Sequence, residues 1–186
     1  MAHTVCPWWL GYLLASPLRR WLGQDPVKTL SPYVREGMTV LEPGPGMGFF
    51  TIPLARLVGS SGRVIAVDLQ PKMIKGLKRR AAKANLLARV DARVTSAETM
   101  GTADLEGKVD FTLAFAMVHE FPNAGRFFTE VSWALKQNAR VLLAEPSGHV
   151  RDEAFAAELA AAAATGLAVA ERPTIKRSQA ALLFKK

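Results

Sequence analysis

The sequence predicts an α/β fold that is Rossmann-like, with a mostly parallel seven-stranded sheet, helices on both faces and a C-terminal antiparallel hairpin. Three observations support this prediction. Short runs rich in apolar and β-branched residues alternate along the chain with segments of helical spacing. Most of these runs are apolar at nearly every position, which is typical of strands buried on both faces of a parallel sheet. The last two runs are joined without a helix, which indicates a hairpin.

Strands and helices follow one another in a regular order. Apolar patterns predict strands at residues 38–42, 63–69, 90–96, 108–118, 139–146, 166–173 and 178–186. Helical spacing predicts helices at residues 48–58, 71–85, 124–137 and 151–166. Pro71 stands in the first turn of the second helix, where its missing N–H is not needed. The last helix has acids in its first turn and Gly166 as a stop signal.

Composition limits the number of domains and the kinds of site. A chain of 186 residues, 49% of them hydrophobic, has enough apolar material for one well-buried core, so we expect one globular domain over residues 34–186. The single cysteine, Cys6, excludes an internal disulfide and a cysteine-based zinc site, and it fits a cytoplasmic protein. The apolar stretch at residues 5–18 contains two prolines and is too short for a membrane span.

The formal net charge of +8 favours anionic partners, through an attraction that salt screens. Nucleic acid, lipid headgroups and small acids are all anionic partners of this kind. Much of the excess lies in two basic runs, residues 71–85 and 172–178. A solvated lysine-rich helix face is the commoner explanation for such runs.

The segment TVLEPGPGMGFF, residues 39–50, places an acid and three alternating glycines after a predicted strand. Glycines allow a sharp turn and a close approach of a ligand to the backbone, and the N–H groups at the start of the next helix offer donors. Asp68 ends the next strand, where a carboxylate accepts hydrogen bonds from both hydroxyls of a ribose. A tight turn without a ligand explains the glycines alone, but the coupled signals favour a nucleoside site.

Three residues favour an adenosine with a cationic tail over a dinucleotide. Counted from Gly44, Phe49 takes the sixth position, where the dinucleotide pattern has glycine or alanine. Pro45 lacks an N–H for a phosphate. Glu42 places a carboxylate beside the loop, which repels a pyrophosphate and suits an ammonium or sulfonium group.

These residues carry a family resemblance. VLEPGPGMG followed by VIAVDLQPKMI resembles the first two motifs of the class I S-adenosylmethionine-dependent methyltransferases. The later block, residues 109–146, resembles the branch typified by quinone C-methyltransferases and other small-molecule methyltransferases. The resemblance extends from Val34 to the C-terminus. It implies that S-adenosyl-L-methionine is the methyl donor and that S-adenosyl-L-homocysteine is the product. It says little about the acceptor, which we expect to be a small apolar or anionic molecule.

The resemblance also implies a set of cofactor contacts. The acid and the glycine loop surround the methionine part of the cofactor, Asp68 binds the ribose, and Leu69 packs on the adenine. After the third strand the family often has Gly-Asp-Ala-Glu, whereas this chain has Ser96 in place of the aspartate, followed by Ala97 and Glu98. Three alternatives for the adenine contact are therefore open in this chain: Ser96, Glu98 or the backbone of Ala97. The implied cofactor-binding residues are Glu42, Gly44, Pro45, Gly46, Gly48, Asp68, Leu69, Ser96, Ala97, Ala114 and Phe115.

Candidate catalytic groups follow the fourth and fifth strands. Methyl transfer requires alignment, and it requires a base only if the acceptor must lose a proton first. His119, Glu120 and His149 are the candidate catalytic residues, and Glu145 is a further candidate. All four follow strands at their carboxyl ends, where side chains converge on one cavity. Each has a structural alternative: the histidines as packing residues, and Glu145 as an orienting group or helix cap.

Aromatic residues concentrate at the N-terminus, in the segment that the family uses as a lid. We expect residues 1–33 to form a helical lid whose aromatic wall excludes water from the acceptor site. Ordinary packing on the sheet is one alternative, and transient contact with a membrane surface, aided by two arginines, is another. The residues in question are Trp8, Trp9, Tyr12, Arg19, Arg20 and Trp21.

Absent motifs narrow the chemistry. The single cysteine argues against arsenite methylation, because arsenite methyltransferases use several cysteines. The sequence AFAM stands where methyltransferases of adenine and glutamine amino groups have an Asn-Pro-Pro-Tyr type motif, which argues against that activity. No cysteine lies near the fourth or fifth strand, which argues against cytosine C5 methylation. Two alternatives to small-molecule methylation are open: an rRNA or tRNA methyltransferase that uses the basic surface, and a non-catalytic protein that binds the cofactor or its product.

Overall fold

A computed structural model describes residues 25–186. The aromatic residues on which the predicted lid depends, Trp8, Trp9, Tyr12 and Trp21, lie outside the described residues. Within the described part, the helices are α1 (Pro26–Leu30), α2 (Thr51–Leu57), α3 (Pro71–Lys83), α4 (Ala124–Ala134) and α5 (Asp152–Ala163). The strands are β1 (Thr39–Pro43), β2 (Arg63–Asp68), β3 (Val90–Val94), β4 (Val109–Phe115), β5 (Leu135–Pro146), β6 (Leu167–Glu171) and β7 (Ser178–Lys185).

The strands follow the order β3-β2-β1-β4-β5-β7-β6 in a seven-stranded sheet. β2 pairs in parallel with both β1 and β3, and β4 pairs in parallel with β5. β7 runs antiparallel to both β5 and β6. The predicted α/β fold, with its mostly parallel sheet and C-terminal hairpin, is therefore confirmed.

The described chain divides into two compact units, residues 25–96 and residues 97–186. In the first, β1 and β2 are buried at most positions, as their apolar runs predict. α3 begins with Pro71 and buries a stripe of residues at helical spacing, which includes Met73, Ile74 and Leu77. α2 begins at Thr51, later than predicted, because the glycine loop continues as a turn through Phe50. The single domain expected over residues 34–186 stays a prediction.

In the second unit, β4 and β5 form a buried parallel pair. α4 ends at Ala134, three residues earlier than its amphipathic pattern predicts, because Leu135 is already extended and opens β5. The pairing then shifts register after Val109, and Asn138 has φ of 61°. Such a shift marks a bulge, so the apolar residues of β5 regain the buried face from Val141 onward.

Among residues 25–186, none of the helices has both the length and the apolar character that crossing a bilayer requires.

The start of α4 gives a test of the local structure. The Asn123 side chain accepts a hydrogen bond of 2.9 Å from the backbone N–H of Arg126 and so caps the helix. We expect Asn123→Ala to lower the free energy of unfolding by about 1 kcal/mol, measured by urea denaturation. Asn123→Asp retains an acceptor and serves as the control. Equal loss in both variants would show that the cap does not stabilise the helix.

Candidate functional site

The glycine loop between β1 and α2 has a backbone that only glycine adopts easily. Gly44, Gly46 and Gly48 have φ of 65°, 54° and 86°. The loop is held by backbone hydrogen bonds, from Gly44 to Val67 and from Gly48 to Pro45, each 2.9 Å long. The alternating glycines in the sequence therefore reflect three left-handed residues in one short turn.

Gly48 is required for a second reason, which is the close packing of α3. A Cβ atom at this position would lie 2.5 Å from Cδ1 of Leu77, a fully buried side chain on α3. Arg80, one turn further along the helix, donates a hydrogen bond of 2.8 Å to the carbonyl of Met47. The helix and the loop thus hold each other in place.

Glu42 lies at the end of β1 and is only 3% exposed. Burial raises its pKa to about 8; the nearby Thr51 hydroxyl offsets part of the rise, and the charge of Asp68 adds to it. Even so, Oε2 of Glu42 and Oγ1 of Thr51 are both buried without a hydrogen-bonding partner among residues 25–186. Burial therefore favours the uncharged form of Glu42, and its Oε2 has unused hydrogen-bonding capacity within residues 25–186.

Asp68 lies at the end of β2. One of its carboxylate oxygens accepts a hydrogen bond of 2.8 Å from the backbone N–H of Gln70, which fixes the side chain in a turn. Its carbonyl accepts a bond of 3.0 Å from Thr95, which directly precedes Ser96. Ser96 and Ala97 themselves are exposed.

These residues fit the cofactor that the resemblance implies. An orphaned carboxyl oxygen at Glu42 can bind a cationic group. A loop in which a Cβ would be strained or would clash leaves the backbone open to a ligand. Asp68 supplies a half-buried carboxylate of the kind that binds ribose hydroxyls.

A second group of polar residues lies in residues 97–186, around Glu145. This residue is fully buried near the end of β5. Its Oε1 accepts hydrogen bonds from the backbone N–H groups of Val118, at 2.8 Å, and Met117, at 3.3 Å. Its Oε2 lies 2.5 Å from Nδ1 of His119. One carboxylate thus fixes both the loop after β4 and the ring of His119.

The backbone turns sharply to bring His119 to this carboxylate. Ala116 has φ of 55°, a conformation that non-glycine residues rarely adopt. Its N–H donates a hydrogen bond of 2.7 Å to Ala144 on β5. This left-handed residue ends β4, and Ala114 and Phe115 are buried just before it.

The surroundings of His119 favour its protonated form. The hydrogen bond to Glu145 raises the pKa of His119 most; burial opposes the rise, and the charges of Glu145, Glu120 and Glu158 add to it. The His119 side chain is 18% exposed. The ring of His149, an exposed residue, packs edge-on against it with centroids 5.0 Å apart. The structure therefore brings both histidines and Glu145 together, and their catalytic role stays a prediction.

Glu158 is a polar residue of this group that the sequence analysis missed. It occupies the buried stripe of α5, between Phe155 and Ala162, where an apolar residue is expected. Burial and the charge of Glu145 raise its pKa to about 8, and the charge of His119 opposes the rise. A lone acid in the apolar stripe of an alanine-rich helix is the signal that identifies it.

The fold, the glycine turn and the carboxylate after the second strand define a nucleoside-binding protein of the Rossmann-like class. A family model described as a methyltransferase domain matches residues 34–180. The chain belongs to that family of methyltransferase domains. A SAM-dependent methyltransferase from Aquifex aeolicus shares its fold, with a TM-score of 0.86, 24% identity, and coverage of 98% of this chain and 100% of the other.

Two curated relatives match parts of the chain. An arsenite methyltransferase of Halobacterium salinarum is 31% identical over 109 residues, which is 59% of this chain and 27% of the relative. A ubiquinone/menaquinone biosynthesis C-methyltransferase of Hydrogenovibrio crunogenus is 26% identical over 112 residues, which is 60% of this chain and 43% of the relative. The chain therefore spans less than half the length of either relative.

Proposed function

We propose that this protein transfers a methyl group from S-adenosyl-L-methionine to a small-molecule acceptor that reacts through an acidic oxygen or carbon. The observation that supports this most directly is the buried Glu145 held against His119. A structural histidine needs only one satisfied nitrogen and no carboxylate. A partly buried imidazole with a buried carboxylate behind it is an arrangement that handles protons or anions.

The cofactor-binding role is assigned to the loop and the strand ends. Glu42 would bind a cationic group of the cofactor, and the exposed backbone around Gly44 and Gly46 would accommodate its methionine part. Asp68 would accept from the ribose hydroxyls, and Leu69 would pack on the adenine. Ser96, Ala97, Ala114 and Phe115 are proposed as further contacts. When bound, the cofactor supplies an electrophilic methyl group on a sulfonium, so the protein contributes alignment and control of the acceptor's charge.

His119 would act on the acceptor through Nε2, because Glu145 engages Nδ1. The raised pKa favours the cationic ring, whose Nε2–H would donate to the anionic oxygen of a phenolate, enolate or carboxylate. As the pH rises through this pKa, the neutral ring becomes a base that accepts the acceptor's proton. Glu145 is then a positioning residue, Glu120 contributes charge, and His149 would support the ring or contact the acceptor.

The two relatives point to different acceptors, an organic molecule for the quinone C-methyltransferase and a metalloid for the arsenite methyltransferase. The name of the quinone relative indicates methylation at carbon, which requires a carbon nucleophile that an adjacent ionised oxygen activates. Arsenite chemistry is disfavoured, because the chain has one cysteine. The excess of basic residues is the observation that keeps RNA as the second candidate.

Transfer of a labelled methyl group into fractionated cell extract tests the proposal. We expect label in the small-molecule fraction, and we expect His119→Asn to reduce that signal by at least roughly a hundredfold. Label that disappears with ribonuclease, together with binding to random RNA that weakens steeply with salt, would instead establish the RNA alternative. Cofactor binding without transfer into any fraction would identify a non-catalytic binding protein.

A further inference from the structure

Glu42 and Thr51 are two buried polar residues that lie close to each other, and Thr51 lies beside the glycine loop. Thr51, the first residue of α2, is fully buried, and its Oγ1 lies 3.6 Å from the position that a Cβ of Gly48 would occupy. Glu42 Oε2 is buried as well, and neither atom makes a hydrogen bond within residues 25–186. Most buried hydroxyls and carboxyls are paired, so two orphans beside one loop require a reason.

The charges around Glu42 determine whether its carboxyl group is ionised in the free protein. Asp68, at the end of β2, is the charged group whose field acts on Glu42, and it disfavours a second negative charge. Arg80, the cation on α3 that reaches the loop, donates to the Met47 carbonyl. Burial and the charge of Asp68 therefore favour the protonated form of Glu42 in the described part of the chain. A ligand with a positive charge would instead favour the ionised form of Glu42.

We propose that Glu42 is uncharged in the free protein and releases its proton to solvent when a cationic group of the ligand binds, while Thr51 donates its hydroxyl hydrogen to the carboxylate thus formed. The inference rests on the proposed cofactor. Thr51 is then a positioning residue of the cofactor site. In this step one O–H bond of Glu42 breaks and the proton passes to the buffer. No other covalent bond changes.

This coupling makes cofactor affinity depend on pH. Below about pH 8 the carboxyl must lose its proton before it can pair with the ligand, so affinity rises with pH. Above that value the carboxylate is already formed and affinity no longer rises. The rise approaches tenfold per pH unit well below pH 8, because one proton is exchanged for each ligand bound.

Calorimetry at pH 7 in phosphate and in Tris measures the protons released, because the two buffers differ in ionisation enthalpy. We expect S-adenosylmethionine to release close to one proton per site. S-adenosylhomocysteine lacks the sulfonium but retains the ammonium. If it releases as many protons as S-adenosylmethionine, the ammonium is the group that pairs with Glu42. If it releases none, the sulfonium is that group. Adenosine carries neither cation and should release none. Release with adenosine would overturn the inference.

Variants of Glu42 and Thr51 distinguish a role in cofactor binding from a role in the stability of the fold. Glu42→Gln should bind S-adenosylmethionine more weakly and release no proton. Thr51→Val should lower affinity about tenfold or more, because the bond from a hydroxyl to a charged group is lost. Its melting temperature should change little, because Oγ1 of Thr51 makes no hydrogen bond within residues 25–186 of the free protein. Thr51→Ser is the matched control and should retain most of the affinity.

The outcomes distinguish this inference from the proposed function. S-adenosylmethionine that binds without proton release, or a Thr51→Val variant with unchanged affinity, would overturn the inference and leave the methyltransferase proposal intact. Absence of any S-adenosylmethionine binding by the full chain would overturn both.

Discussion

Glu145→Ala is expected to lower methyl transfer roughly a hundredfold or more and to destabilise the protein by about 3 kcal/mol. Glu145 has no solvent exposure, and three groups depend on its carboxylate: the N–H of Met117, the N–H of Val118 and the ring of His119. Alanine leaves two buried backbone donors without an acceptor, which explains the loss of stability. It also frees the His119 ring, which explains the loss of activity. Urea denaturation and labelled methyl transfer measure the two effects.

Glu145→Gln separates these effects. The glutamine oxygen can still accept from both backbone N–H groups, so most of the stability should be retained. Its amide is uncharged, so the pKa of His119 should fall from its raised value. The raised pKa stabilises the wild-type fold below the unfolded-state pKa of histidine, about 6.5, and this contribution disappears as the pH rises through the folded value. The stability difference between the two proteins should therefore be largest in acid.

The titration of His119, followed by NMR, is the decisive measurement for this pair of variants. A midpoint in Glu145→Gln that lies below the wild-type midpoint, with a pH profile of methyl transfer that moves in the same direction, would support proton or anion handling by His119. If the midpoint and the profile both stay in place, the Glu145–His119 contact is purely structural.

Gly48→Ala is expected to destabilise the protein by about 2 to 4 kcal/mol and to weaken cofactor binding more than tenfold. Two costs add at this position. Alanine at φ of 86° is strained, and its Cβ would lie 2.5 Å from the Leu77 side chain. Leu77 is fully buried and has little room to move. Relief of the contact requires α3 or the loop to shift, and that shift distorts the backbone proposed to receive the cofactor.

Gly46→Ala is the matched control for Gly48→Ala. Gly46 also has positive φ, at 54°, but a Cβ there meets no atom within 4 Å. It should carry only the conformational cost, about 1 kcal/mol. The double variant Gly48→Ala with Leu77→Ala should recover cofactor affinity relative to Gly48→Ala alone if the clash displaces the helix. Equal thermal stability of the two single glycine variants would contradict the packing argument.

The strands, the helices and the C-terminal hairpin could be predicted because they depend on patterns that are local in sequence. Apolar runs of strand length identify β1, β2 and β4, and the helical stripe of α3 is visible in its spacing. Element ends were less predictable. The pattern of α4 continues to residue 137, but Leu135 pairs with Val109 and is therefore extended. Pairing with a distant strand overrides helical spacing in such cases.

By itself, the sequence determined the class of fold, the glycine turn with its acid, and the positions of His119, Glu145 and His149 after strands. All of these follow from residue type and from spacing along the chain. Only the tertiary structure decided that Glu145 holds both His119 and the loop after β4 and that Glu158 lies buried. It also decided that Oε2 of Glu42 and Oγ1 of Thr51 have no hydrogen-bonding partner within residues 25–186. The reason is physical: charge state and hydrogen bonding depend on burial and on partners that lie many residues away in sequence, and local patterns do not encode either.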